Sequence, residues 1–246
     1  MAVRVETSGP ITTVVLSRPE VRNAVNAATA TSLREAFDDF VSDENQLVAV
    51  LWGEGGTFCA GYDLKEAMEG NLSYNPTGPG PMGPTRQIID KPVIAAVEGY
   101  AVAGGLELAL WCDMRVVADD ASFGVFCRRW GVPLVDGGTV RLPRLIGQGR
   151  ALDMILTGRE VAADEALSWG LADRLVPSGT TREAAEALAV EIAQFPQLCM
   201  RADRYSSLKQ WGKDITGSLA AEAAGGVAPL ETIRDQIAPF FEENSR

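Results

Sequence analysis

At 246 residues, with 46% apolar and 22% charged side chains, the chain has the length for a large buried core and the composition of a globular protein. A formal charge of −11 argues against a nucleic-acid backbone as the main partner, because such binding draws on clustered Lys and Arg. The sequence contains no histidine, which removes Ser-His-Asp and Cys-His nucleophile pairs and the HExxH metal site and leaves acid–base work to carboxylates, Lys, Tyr or Cys.

The opening runs VRVE and ITTVVLS are rich in β-branched residues and are separated by Ser8, Gly9 and Pro10, a pattern that predicts two strands in a hairpin. The N-terminus lacks a basic region followed by an apolar run and a cleavage site, and uncharged runs elsewhere are broken by Gly and Pro before bilayer length. No leader or membrane segment is therefore expected, and the default location is cytoplasmic. Asn26 predicts an N-cap for a helix over Ala27 to Val41, with Leu33, Phe37, Phe40 and Val41 on one face. Gln46 to Trp52 reads as a buried strand ending in a GEGG turn.

GTFCAGYDLKEAM follows, a small-residue turn leading into a helix that starts at Asp63. Gly70 to Thr85 is so rich in Gly and Pro that a mobile loop, serving as a wall of a site, is expected. PVIAAVEG predicts another strand, and it runs into GYAVAGGLELALWCD, Gly99 to Asp113. There, Ala101 to Gly105 has almost no side-chain bulk, so a ligand can approach the backbone, and the first N–H groups of the following helix suit an oxyanion or a polarised carbonyl. Glu107 is the only charge between Glu98 and Asp113. Two readings follow: a desolvated acid or base, or a carboxylate that complements the helix dipole.

Asp113 to Ala118 and SFGVF predict further strands, and PLVDGG, Pro133 to Gly138, predicts a loop. TVRLPRLIG and RALDMILTG have helical spacing, with breaks expected at Pro143 and Gly147. ADEALSWGLADRLV reads as helix, Gly stop and strand, and from Thr180 onward the chain reads as helical with breaks at Pro196 and Gly225-Gly226. The expected organisation is an α/β core over 1–180 and a helical region over 181–246. The four cysteines are widely spaced without a CxxC pair, which fits reduced thiols better than a disulfide framework or zinc site.

NAVN at 23–26, FCAGYDL at 58–64, KPVIAAVEGYAVAGGLELALWCD at 91–113, FG at 123–124 and LTGREVAADEALSWGLADRLV at 156–176 together resemble the crotonase (enoyl-CoA hydratase/isomerase) superfamily. The resemblance runs nearly the length of the chain, in order and at family spacing. It implies an α/β spiral of ββα repeats with a helical C-terminal trimerisation region that also covers the active site, a homotrimer or hexamer, and an acyl-CoA thioester substrate. No metal or redox cofactor is implied; coenzyme A enters as part of the substrate, and neither nucleic acid nor membrane is an expected partner.

Carried onto this sequence, the resemblance puts an oxyanion hole at the backbone N–H groups of Tyr62 and Gly104 and a catalytic glutamate at Glu107. Ala60, Asp63, Leu64, Lys65, Tyr100 and Gly105, with Arg22 and Ala24 of the RNAVN segment, become candidates for binding the CoA thioester. Trp130, with Tyr100, is a candidate for lining the acyl pocket. Lys65 could equally be an exposed helix lysine, Asp63 a helix cap, and Tyr100 and Trp130 core aromatics. The second hydratase glutamate would lie three residues beyond Phe123-Gly124, where this chain has Cys127. A thiol with an ordinary pKa of about 8.5 cannot simply replace a carboxylate. Arg128 and Arg129 would favour a thiolate, whereas a packing role needs no charge. Asp136 of PLVDGG is the candidate replacement, since relatives use an aspartate in this loop; a turn residue or helix cap is its structural alternative. Two functional readings stand: proton transfer at an acyl-CoA thioester, giving hydration, dehydration or isomerisation, or thioester binding without efficient turnover.

Overall fold

The opening hairpin forms as the turn chemistry predicts, in a computed structural model that describes residues 1–69, 74–233 and 236–238. Strands β1 (Val3–Ser8) and β2 (Ile11–Leu16) pair antiparallel. Asn26 then caps α1 (Ala27–Ser42), its side chain accepting from the Thr29 N–H at 2.9 Å. Leu33, Phe37 and Phe40 point into the core from this helix. The apolar runs that follow become parallel strands: β3 (Val48–Gly53), β4 (Val93–Val97), β6 (Met114–Ala118) and β9 (Arg174–Val176). They extend the hairpin into a six-stranded sheet of order β1-β2-β3-β4-β6-β9. All of β4 is buried, as expected for a parallel strand covered on both faces.

A second, smaller layer explains why small residues recur just after these strands. β5 (Tyr100–Val102) pairs parallel with β7 (Ser122–Gly124), which pairs antiparallel with β8 (Glu160–Ala162). Cys59 bridges to Ala101 on the other side of β5. Each repeat thus places one strand in the large sheet, turns, and places a second short segment in the small one. α2 (Leu64–Met68) and α3 (Gly104–Trp111) follow the first and second of these segments. Every residue of α3 is buried; its last, Trp111, meets Phe37 edge-on at 4.8 Å and donates to the Gln87 carbonyl at 3.0 Å.

Two expectations need correction. Pro143 does not break its helix: α4 runs Gly138–Ile146 through it, and the break falls at Gly147, where φ is +82° and α5 (Gln148–Thr157) begins. The carbonyl that Pro143 leaves without an N–H belongs to Thr139, a residue on the exposed side of the helix, where its loss of a partner costs less than in the core. The Gly/Pro stretch is also not a free loop in its described part. Residues 70–73 lie outside the described residues, but Met82 and Thr85 are buried and Pro84–Arg86 forms a 3-10 turn. The Arg86 guanidinium holds the Asn75 and Gly78 carbonyls at 2.8 and 3.0 Å, so side-chain bonds replace what composition alone would leave loose.

α6 (Ala163–Trp169) precedes β9, and α7 (Thr181–Ala193) follows it. Contacts divide the chain into Met1–Val190 and Glu191–Arg246. The second unit contains α8 (Gln197–Lys209), α9 (Ile215–Gly225) and α10 (Val227–Glu231). Pro196 and Gly226 mark helix ends there as expected. An additional break at 210–214 was not expected: Gly212 has φ +87°, and Asp214 caps α9 by accepting from the Gly217 N–H at 2.6 Å. No helix among the described residues is long and apolar enough to cross a membrane. All four cysteines are unpaired.

Candidate active site

The two small-residue turns lie back to back. A Cβ on Gly61 would stand 2.9 Å from the Gly104 nitrogen, and one on Gly105 would stand 2.0 Å from the Cys59 carbonyl oxygen. Only glycine permits so close an approach, and Gly61 itself has φ +100°. The Gly61 carbonyl accepts from Val25 N–H and the Asp63 N–H donates to the Val25 carbonyl, both at 2.8 Å. These bonds flank Tyr62 and leave its own N–H out of the pairing. Gly104 is the first residue of α3, whose N–H has no partner within the helix. Ala103 just before it has φ +53° and ψ −124°, a conformation that costs a non-glycine residue of order 1–3 kcal/mol and that concentrates at functional sites.

Both N–H groups belong to residues lining a cavity of ≈ 550 Å³, which Glu107, Cys127 and Asp136 also line. Its remaining wall is mostly apolar, with Leu64, Met82, Phe126, Trp130 and Val135 among its members and Arg22 contributing a cation. Glu107 is 2% exposed, and its Oε1 accepts from the backbone N–H groups of Asp136 at 2.9 Å and Gly138 at 2.8 Å. Glu107 stands in the first turn of α3, where its charge complements the helix dipole, yet its bonds run to the segment that opens α4 and not to its own helix. Burial, reinforced by the neighbouring Asp136 charge, outweighs those two bonds and pushes the Glu107 carboxyl up to about 7.

Asp136 is equally buried, and its Oδ1 accepts from the Met82 N–H at 3.0 Å and from the Thr85 hydroxyl. It does not cap α4: the N-cap is Gly137, with no side-chain bond. Burial also raises its carboxyl above the usual aspartate range. Each carboxyl group is thus anchored through one oxygen, and among the described residues the other oxygen has no protein partner. Arg141 ties this arrangement together, donating to the Asp136 carbonyl at 3.0 Å and to the Thr85 carbonyl at 2.7 Å.

The Cys127 thiol is raised by burial and then by the Glu107 charge, which overturns the thiolate reading. The Arg128 charge works against that rise without overcoming it. Arg128 donates to the Ile155 carbonyl, and Arg129 donates to the Gly158 carbonyl and stacks on Phe126 at 4.0 Å.

Of the other candidates, Arg22, Ala60 and Leu64 line the cavity, as do Tyr62 and Gly104. Ala24, Asp63, Lys65, Tyr100 and Gly105 lie outside its wall. Asp63 caps α2 by accepting from the Lys65 N–H at 3.1 Å and pairs with Arg18 at 3.0 Å. The Tyr100 ring is 41% exposed, and Trp130, placed on the wall, is also largely exposed. Sequence reasoning missed Met82, Thr85 and Arg141. Met82 and Thr85 sit in the Gly/Pro stretch whose composition masked them, and Arg141 reads locally as one more surface cation on a helix.

A family model for enoyl-CoA hydratase/isomerase matches residues 6–223. The chain belongs to the enoyl-CoA hydratase/isomerase family. Like other members of this crotonase superfamily, it shares its fold with solved structures over its whole length. An enoyl-CoA hydratase from Mycobacterium tuberculosis H37Rv superimposes with a TM-score of 0.92 at 35% identity, covering 100% of this chain and 96% of that one. One from Mycobacterium marinum gives 0.91 at 33% identity, with the same coverage. Among curated relatives, the carnitinyl-CoA dehydratase of Salmonella typhi is 40% identical over 198 residues, 79% of this chain and 76% of the relative. The back-to-back glycine turns and the buried glutamate of this family member therefore lie in the fold that carries enoyl-CoA hydratases.

Proposed function

We propose that this enoyl-CoA hydratase/isomerase family member catalyses proton transfer next to the thioester carbonyl of an acyl-CoA, adding or eliminating water or moving a double bond. The observation that carries the reading is Glu107: a carboxyl group with a pKa near 7 in a cavity lined by Tyr62 and Gly104. The thioester oxygen would sit against the N–H groups of Tyr62 and Gly104, which hold the developing enolate. Loss of one such donor typically costs about 3–4 kcal/mol of transition-state stabilisation. A group half-protonated at neutral pH can both take and return a proton, and Glu107 has an oxygen left over for it. Asp136 supplies the second carboxyl group, in place of the glutamate that the family pattern would put at Cys127.

In this reading, Arg22 at the cavity rim and Lys65 outside it meet the anionic part of CoA. The reading takes no metal or redox cofactor, with coenzyme A arriving on the substrate. Residues 1–180 form the catalytic core, and 181–246 serve assembly into a trimer or hexamer, which sedimentation or light scattering checks. The curated relatives named carnitinyl-CoA dehydratase favour the hydro-lyase direction.

The test is a panel of 2-enoyl-, 3-enoyl- and 3-hydroxyacyl-CoA thioesters incubated in heavy water and read by mass spectrometry. Hydration and isomerisation leave different mass signatures. Glu107→Gln is expected to abolish turnover with CoA binding retained, and Asp136→Asn to show whether the second carboxyl group takes part. The neutral Cys127 thiol on the cavity wall favours a second reading, thioester binding without turnover. Binding with no deuterium at the α-carbon and no effect of Glu107→Gln would replace the first reading by the second.

A further inference from the structure

Among the described residues, every hydrogen bond to the two cavity carboxyl groups comes from two chain segments. Residues 136–138 supply both donors to Glu107, and residues 82–85 supply both donors to Asp136. Arg141 is one side chain that bonds to both segments. Its Nη1 donates to the Asp136 carbonyl at 3.0 Å, and its Nη2 donates to the Thr85 carbonyl at 2.7 Å. Gly137 leaves the space it needs, since a Cβ there would stand 2.0 Å from Nη1. With φ +99°, Gly137 also gives the backbone the turn that puts the Asp136 and Gly138 N–H groups on the same Glu107 oxygen.

We infer that Arg141 is a positioning residue for the proposed proton transfer, clamping the 82–85 and 136–138 segments so that Glu107 and Asp136 keep their free oxygens in the cavity. It touches no reacting atom; it acts through the backbone that holds both carboxyl groups. Its geometry suits this role, because a planar guanidinium presents donors in a fixed fork, whereas an ammonium is a single point of attachment. Its charge adds a second effect. The ionisable groups coupled to Glu107 include Asp136, which raises its pKa, Arg141, which lowers it, and Cys127, whose thiol the Glu107 charge raises in turn. Arg86 joins Arg141 in lowering that of Asp136. Arg141 itself feels Glu107, Cys112, Asp136 and Arg144. Removing the Arg141 cation therefore moves Glu107 ionisation to higher pH.

The inference rests on the reading of Glu107 as the acid–base group. Its experiment compares pH–rate profiles of the full-length wild type, Arg141→Gln, Arg141→Lys and Glu107→Gln on a 2-enoyl- or 3-hydroxyacyl-CoA that the wild type turns over. Arg141→Gln is expected to lower kcat at least 10-fold with KM within about 2-fold and to shift the limb governed by Glu107 to higher pH. Arg141→Lys keeps the charge but not the fork, so its limb returns toward the wild-type pH while kcat stays low. Should Arg141→Gln fail to fold, the Arg141→Lys profile alone decides, since a kcat equal to wild type there shows that the fork is dispensable. An inactive Glu107→Gln beside an Arg141→Gln or Arg141→Lys enzyme with wild-type kcat and profile overturns this inference alone. A fully active Glu107→Gln overturns the reading beneath it.

Discussion

Replacing Glu107 by Gln tests whether the site holds its carboxyl group against the stability of the fold. Gln has nearly the same shape, and its Oε1 can still accept from the Asp136 and Gly138 N–H groups that now bond to Glu107. The lift of the carboxyl from 4.5 to about 7 corresponds to roughly 3 kcal/mol of native-state stability. Well below pH 4.5 both the folded and unfolded chains hold the proton and nothing is lost, and at pH 4.5 the loss is still small. Between pH 4.5 and 7 the unfolded chain ionises while the folded one stays protonated, so stability falls with rising pH, and above 7 the loss is complete. Gln carries no such loss. The advantage of Glu107→Gln should therefore grow from near zero at pH 4.5 to about 3 kcal/mol at pH 8. At about 2–4 °C per kcal/mol for a chain of this size, that is a Tm gain of roughly 6–12 °C. Paired thermal unfolding of the two proteins across this pH range isolates the residue, because all other groups titrate in both. A Tm difference that stays flat between pH 5 and 8, or shrinks as pH rises, would refute the argument that burial dominates at Glu107.

Glycine substitutions should separate close packing from open surface. Gly105→Ala places a Cβ 2.0 Å from the Cys59 carbonyl oxygen and is expected to cost at least about 3 kcal/mol or to abolish soluble expression. Gly149→Ala, inside α5 with nothing within 4 Å of the added carbon, should raise stability by about 0.5–1 kcal/mol in denaturant unfolding. Asp173→Ala removes the carboxylate that Arg115 meets at 2.6 Å, and Arg115 is 1% exposed. Arg115 keeps the Leu171 and Cys112 carbonyls, so denaturant unfolding should show a loss of about 1–3 kcal/mol, as for a charged hydrogen bond removed. Cys127→Glu puts a carboxyl group on the cavity wall and should raise hydration of a short 2-enoyl-CoA, measured as loss of the enoyl thioester absorbance. An unchanged rate would show that a carboxyl group at this position is not what limits hydration.

Much of the fold follows from short-range chemistry. Asn26 caps α1, the apolar runs at 48–53 and 93–97 become parallel strands, and Gly170 stops α6 with φ +79°. The reason is local: a cap, a turn glycine or a buried strand is set by residues within one or two turns of each other. The small-residue turn recurs at 58–62 and 99–105, and it is the family resemblance, not the spacing, that puts the two N–H groups at Tyr62 and Gly104. Pro143 and the Gly/Pro stretch show where local rules give way. Pro143 orphans the carbonyl of an exposed residue, Thr139, and Arg86 pins a segment whose composition promises freedom.

For the site, the sequence by itself determined the family, the glycine turns and an isolated glutamate in an apolar helix. Only the tertiary structure decided how that glutamate is buried and held. Its 2% exposure and its two bonds come from residues 29 and 31 positions further along the chain, and Asp136 is held by residues more than 50 positions back. A pKa is set by everything within a few ångströms in space, and desolvation, neighbouring charge and donor geometry carry no signature in the spacing of adjacent residues.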